Sequence, residues 1–218
     1  MGDLVRLDLR GQFRHLYMPS TEEVVEVDVP EMQFAMVDGE IEKGVSPRDS
    51  PHFVSCIGAL FALSYTLKFV SRRRSVDPVE YKVMALEGLW TTPGGGADYA
   101  VSDEWSYTLM IMQPDHITEE MFAEAREKLR AKRAKEGHPT FALEGARLER
   151  FAEGRCVQIM HLGPYLDEPR TLEKMAAYVQ ARGYEFHGPH HEIYLSDPRT
   201  AEPDHLKTVL RHAVRPAG

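Results

Sequence analysis

The stretch His190-His191-Glu192-Ile193-Tyr194-Leu195-Ser196-Asp197-Pro198 decides how the rest of the chain is read. Ile193, Tyr194 and Leu195 favour extended backbone and Asp197-Pro198 stops it, so a short strand is expected over residues 190–195. Alternation places His190, Glu192 and Tyr194 on one face and His191, Ile193 and Leu195 on the other. The apolar pair marks a strand packed inside a sheet. An acid beside an aromatic ring is costly to bury there, and a site for a flat or cationic small molecule would account for it.

Working backwards and forwards from this strand, the elements fall into two similar sets. Leu172, Met175, Ala176 and Val179 keep a helical period over 169–182, which Gly183 ends. A strand over 155–162, closed by Gly163-Pro164, precedes that helix, and a last strand follows over 206–214. In the first half, Met32, Phe34 and Met36 alternate with Gln33, Ala35 and Val37 in a strand ended by Asp38-Gly39. Ser50-Pro51 is a capping residue with proline at the first helical position. From there Phe53, Ile57, Leu60, Phe61, Ser64 and Leu67, widened by Val54 and Leu63, predict a mostly buried helix over 51–70. Strands follow over 81–90 and 105–113. Between them lies Thr92-Pro93-Gly94-Gly95-Gly96, which lacks the helix that a phosphate-binding loop requires directly after it.

Each half therefore runs strand, helix, strand, strand. Gly39 and Gly163 end the first strand in each, and Glu87 falls in the third element of its half as Glu192 does in the other. The expected fold is α+β: tandem duplicated strand-helix-strand-strand modules, 29–115 and 145–214. Joined side by side, they form a mainly antiparallel sheet with a ligand groove on the pseudo-twofold axis and helices on the other face. A connector helix within 116–138 is capped by Thr118 and has the sparse stripe Met121, Phe122, Ala125 and Leu129. Residues 4–16 read as a short surface helix within an N-terminal extension, 1–28.

Composition narrows the function. The 218 residues, 43% hydrophobic and 28% charged, suit a globular chain with a sizeable core. A formal net charge of −8 argues against a nucleic-acid partner, and the one basic cluster, Arg72-Arg73-Arg74, suits a helix C-terminus. No apolar run reads as long enough for a bilayer and residues 1–10 are no signal peptide, so no membrane partner and a cytoplasmic location are expected. Cys56 and Cys156 are too few for a disulfide framework and read as small core residues. His161, His190 and His191 lack metal-ligand spacing, and no cofactor is expected. Neither a Ser-His-Asp nor a Cys-His arrangement is visible.

Four segments carry a resemblance. Leu86-Glu87-Gly88-Leu89-Trp90, the run 107–115, Val157-Gln158-Ile159-Met160-His161-Leu162-Gly163-Pro164-Tyr165, and 190–198 resemble the GyrI-like small-molecule-binding domain, and within it the stand-alone bacterial branch. The likeness spans about 29–214. It implies the duplicated module inferred above and a groove with a central glutamate and aromatic walls for flat, often cationic compounds. Some members of the branch are similar to hydrolases that open the cyclopropane ring of alkylating genotoxins with paired glutamates and a water. The matching acids here would be Glu168 and Glu192.

On the residues alone, Glu192 is either a solvated strand carboxylate or a buried acid suited to a cation or to proton transfer. Glu168, before Pro169 at a helix start, is explained by the helix dipole, and a catalytic role is compatible with that. Trp90, Trp105, Tyr107 and Tyr194 could wall a groove over the acids, including Glu87, or could be core. Tyr165 and His161 stand beside the Gly163-Pro164 turn, Tyr165 either donating to a ligand or covering the helix start. Three functions stay open: a hydrolase, a drug-binding or sequestering module, and an acidic inhibitor of a protein partner. Oligomeric state is not legible.

Overall fold

The computed structural model describes residues 3–92 and 104–218; the glycine run and the segment after it, residues 93–103, lie outside them. In chain order the elements are β1 (Val5–Leu7), α1 (Leu9–Gln12), α2 (Arg14–Tyr17), β2 (Val25–Val29), β3 (Met32–Ile41), α3 (Pro51–Arg72), β4 (Val79–Tyr81) and β5 (Leu86–Thr91). They continue with β6 (Trp105–Gln113), α4 (Glu119–Lys135), α5 (Phe141–Glu144), β7 (Arg147–Phe151), β8 (Gly154–Leu162), α6 (Glu168–Ala181), β9 (Tyr184–Tyr194) and β10 (Lys207–Pro216). The two expected modules are β3-α3-β5-β6 and β8-α6-β9-β10, and the α+β class stands.

The main sheet has the order β2-β8-β10-β9-β5-β6-β3-β7, with antiparallel pairing throughout. Each module contributes a block of three strands, and the blocks meet where β5 pairs β9. Strands β2 and β3 are two residues apart in the chain yet sit at opposite ends of this order, as do β7 and β8. Pairing of β2 with β8 and of β3 with β7 follows one continuous register. The two ends of the sheet therefore meet, and the sheet curls closed along these two long, kinked strands. Closure leaves few bare backbone groups at an edge.

Helices α3 and α6 pack on one and the same face. Met175 and Val179 of α6 join Val157, Ile159 and Leu210 in one core cluster. On α3, Cys56 approaches Tyr107 of β6, and Phe53 stacks edge-on against the same ring at 5.0 Å. The reverse face carries Glu87, Met110, His191, Ile193 and Arg211, over which α2 lies through Tyr17.

Several expectations are corrected. Residues 4–16 do not form one surface helix: β1 pairs in parallel with β4, and Leu9, Leu16 and Tyr17 are buried by α1 and α2. The expected strand 81–90 is two pieces, because β4 serves the small ribbon with β1 and β5 enters the main sheet. Strand β9 begins six residues before His190 and carries an irregularity at His187-Gly188-Pro189, where the register with β10 shifts and Gly188 has φ +73. A left-handed glycine and a proline without an N–H suit a bulge. The helix over 51–72 is not mostly buried. One stripe, from Phe53 to Leu67, faces the sheet, while Val54, Tyr65 and Phe69 are exposed. It spans 22 residues and an 18-residue window of it has mean hydropathy 1.7, so it is also long and apolar enough to cross a membrane, contrary to the sequence expectation.

Candidate functional site

At the junction of the modules, Glu192 of β9 lies directly opposite Gly88 of β5, with His190 opposite Trp90 and Tyr194 opposite Leu86. Opposed residues share a face, so Glu192, Tyr194 and Trp90 all point to the side that carries α3 and α6. The residues expected to line a groove thus lie on the face that carries the helices rather than on the far side. The period-2 pattern defines which residues share a face but not which face the helices choose.

Gly88 makes this arrangement possible. A Cβ there would stand 2.8 Å from Trp90 Nε1 and 3.2 Å from the Tyr194 hydroxyl. In the space left open, Trp90 Nε1 donates to the Tyr194 oxygen at 2.9 Å. Tyr194 is partly buried beside charge: burial first, then Glu192, push its phenol pKa well up, so it stays protonated.

Glu168 arrives from the other layer. The chain leaves β8 through Gly163-Pro164, turns through a 3-10 turn (Tyr165–Asp167), and places Glu168 as the first residue of α6. The same device precedes α3, where the turn (Pro47–Asp49) is followed by Ser50 and Pro51. Asp49-Ser50-Pro51 and Asp167-Glu168-Pro169 are thus equivalent in the two modules. Ser50 caps its helix by accepting from the Phe53 amide. Glu168 is 8% exposed, no side-chain cap bond forms at the start of α6, and among the described residues Glu168 Oε1 has no hydrogen-bond partner. Burial, followed by the charge of Glu192, holds its carboxyl well above the usual carboxylate range. The outcome is a neutral, buried acid beside a second carboxylate whose side chain is 17% exposed.

Tyr165 meets Tyr194 edge-on at 6.1 Å, and its pKa is pushed up to about 12 by burial and by the two glutamates. His161 is nearly inaccessible and holds the turn behind Tyr165. Its Nε2 faces the Pro164 carbonyl at 3.2 Å and its Nδ1 the Thr171 hydroxyl at 2.9 Å, so Nε2 carries the proton and Nδ1 accepts. Both ring nitrogens are occupied within the protein.

The aromatic side continues from Trp90 to Phe53 at 5.5 Å, Tyr107 at 5.8 Å and Trp105 at 6.3 Å. Tyr107 is buried behind this wall, its hydroxyl 2.8 Å from His52 Nδ1. Gly39 opposes it, and a Cβ there would fall 2.3 Å from that hydroxyl.

Glu87 does not join this group. In register it opposes Ile193, one residue off Gly88, and so it points to the reverse face. There its Oε1 accepts from the Tyr17 hydroxyl at 2.6 Å and its Oε2 lies 3.0 Å from His191 Nε2. His191 Nδ1 meets Glu153 at 2.8 Å, Glu153 meets Arg211 at 3.6 Å, and Arg211 donates to the Leu16 carbonyl at 2.7 Å. Glu87, His191 and Arg211 are at most 1% exposed, so this is an internal charge network.

Gly88, Phe53 and Arg48, whose guanidinium lies over the Tyr165 ring at 5.2 Å, were not singled out by sequence reasoning. The Asp-x-Pro repeat before α3 and α6 was a usable signal for Glu168, since one copy holds serine where the other holds glutamate. No group of three or more histidine, cysteine or acidic residues is placed to hold a metal among the described residues.

A family model described as a GyrI-like small molecule binding domain matches residues 22–212. Three solved structures from Listeria innocua are similar over 96% of this chain and 100% of theirs. An uncharacterized conserved protein is 35% identical with TM-score 0.83, and two proteins described as hydrolases are each 34% identical, with TM-scores 0.79 and 0.82. No curated protein matches the chain.

Proposed function

The chain belongs to the family of GyrI-like small-molecule-binding domains, and from that premise we propose that its groove binds planar, lipophilic compounds and hydrolyses strained-ring alkylating ones with Glu168 and Glu192. The observation that carries this reading is the pair itself. One acid keeps its proton through burial and through the other's charge, and one oxygen of that acid is without a partner. A structural carboxylate would have been capped or solvated. The hydrolase description of two relatives supports turnover, and the aromatic wall of Trp90, Phe53 and Tyr194 supports a flat ligand.

The chemistry asked of these residues is addition of water. Glu192 takes a proton from a water whose oxygen bonds to a carbon of the strained ring. A ring carbon–carbon bond breaks, and its electron pair moves into a conjugated electron-accepting group, which takes the proton from Glu168. Ring strain supplies much of the driving force, so a placed water and paired acid–base groups suffice. Tyr165, protonated, is a donor that orients the acceptor end of the ligand, while the Tyr194 hydroxyl donates to Glu192 and holds the base in place.

Glu192→Gln and Glu168→Gln test the assignment. Either variant should bind a planar strained-ring substrate within a few-fold of wild type while hydrolysis falls by roughly 100-fold or more. A wild type that binds without turnover would leave sequestration, the reading favoured by the aromatic wall alone. Unchanged hydrolysis in both variants would remove the acids from the mechanism.

A further inference from the structure

We propose that Arg48 sets the charge selectivity of the groove: with a guanidinium already resident on the Tyr165 ring, the groove takes neutral planar ligands bearing a hydrogen-bond acceptor and disfavours permanent cations. This rests on the groove reading above and adds to it the class of ligand.

The contact joins the two modules. Arg48 belongs to the turn before α3, and Tyr165 to the equivalent turn before α6, so the 5.2 Å approach spans the space between the helix starts. Tyr165 is, like Tyr194, an aromatic ring beside both glutamates, and Arg48 is the positive group acting on its phenol. A cation–π partner at this distance uses the ring's negative face, which a cationic ligand would otherwise seek. Arg48 is exposed and has no carboxylate partner among the described residues, so its charge stands unneutralised at the rim. Like charges a few ångströms apart repel, and ordinary salt screens them little at such a range. On the acid side, a buried Glu168 that retains its proton offers a donor rather than a counter-ion. With Glu192 the negative group on the acid side, it is Arg48 at the rim that turns the groove toward a carbonyl and away from an ammonium or phosphonium centre.

The test compares two dyes with one ring skeleton, neutral N-methylacridone and cationic N-methylacridinium, by fluorescence titration. Wild type should bind the acridone more tightly. Arg48→Ala should tighten acridinium binding roughly five- to tenfold and leave acridone within about twofold, while Arg48→Lys keeps the discrimination. The idea is overturned if Arg48→Ala leaves acridinium affinity unchanged, or if wild type prefers the acridinium. Binding of neither dye by wild type would overturn the groove reading itself, and the selectivity with it. Because Arg48 is exposed, a matching thermal midpoint shows that each variant is folded.

Discussion

Trp90 Nε1 donates to Tyr194 Oη at 2.9 Å across the seam between the two modules, directly above a glycine, Gly88. Each residue comes from the strand of its own module that faces the other, β5 or β9, so the bond ties the halves together on the face where Glu192 stands. Everything proposed for the groove depends on that open position.

Gly88→Ala should therefore do damage out of proportion to one methyl group. The new Cβ would lie 2.8 Å from Trp90 Nε1 and force one ring away. A loss of about 1–3 kcal/mol in stability is expected, together with weakened binding of a planar ligand. Thermal unfolding and tryptophan fluorescence check this; an unperturbed spectrum and midpoint would show that the rings have room to spare.

Glu168→Gln should stabilise the protein as pH rises. Because burial and Glu192 raise the Glu168 pKa, the folded state holds a proton that the unfolded chain has already lost. Stability is then undiminished below the usual carboxylate range and falls as pH climbs toward the raised value. The glutamine variant lacks this loss. It should match wild type near pH 4 and exceed it by about 1–3 kcal/mol at pH 7, as denaturant titrations at several pH values would reveal.

His191→Ala should be severe. His191 sits between Glu87 and Glu153, at 3.0 and 2.8 Å, and its removal strands two buried carboxylates. A cost of about 3–5 kcal/mol is expected. Chemical denaturation measures it, and a cost below about 1 kcal/mol would mean that the network relaxes or takes up water.

The same network predicts acid sensitivity. His191 and Arg211 hold the buried Glu153 carboxyl down at about 2, against the cost of burial. A depressed carboxylate contributes stability that is present above the usual carboxylate range and is lost as pH falls toward that value. Glu153→Gln should flatten the decline between about pH 4.5 and pH 2 while lowering stability at pH 7, as acid titrations followed by circular dichroism would show.

Tyr17→Phe removes the donor of the 2.6 Å bond to Glu87. A loss of about 1.5–3 kcal/mol is expected because the acceptor is charged and buried. Hydrogen exchange should also quicken in α1 and α2, and unchanged protection there would mean that Leu16 and Arg211 alone hold this segment down.

Much of this was legible from residue order. Met32, Phe34 and Met36 in alternation, the Ser50-Pro51 helix start and the Leu172-to-Val179 stripe each state a local conformation. Two rounds of strand, helix, strand, strand follow from them. Strands β2 and β7 were not found: Val25–Val29 and Arg147–Phe151 mix charged and apolar residues, because they line the ends of the sheet where one side meets solvent. The candidate acids were found for different reasons. Glu192 stood out for its apolar neighbours, whereas Glu168 was named through the family resemblance and on its residues alone read as an ordinary helix start; its burial and its unused oxygen are properties of the fold.

The sequence by itself determined most of the elements and their duplication, because period and turn chemistry act over a few residues. It could not determine register. Glu87 and Gly88 are neighbours in the chain, and only the pairing of β5 with β9 sends one into an internal charge network and sets the other opposite Glu192. Only the tertiary structure put both helices on the side of Glu192 and brought Arg48 over Tyr165. These are contacts between residues about a hundred positions apart, fixed by how two modules meet and not by any local preference of the backbone.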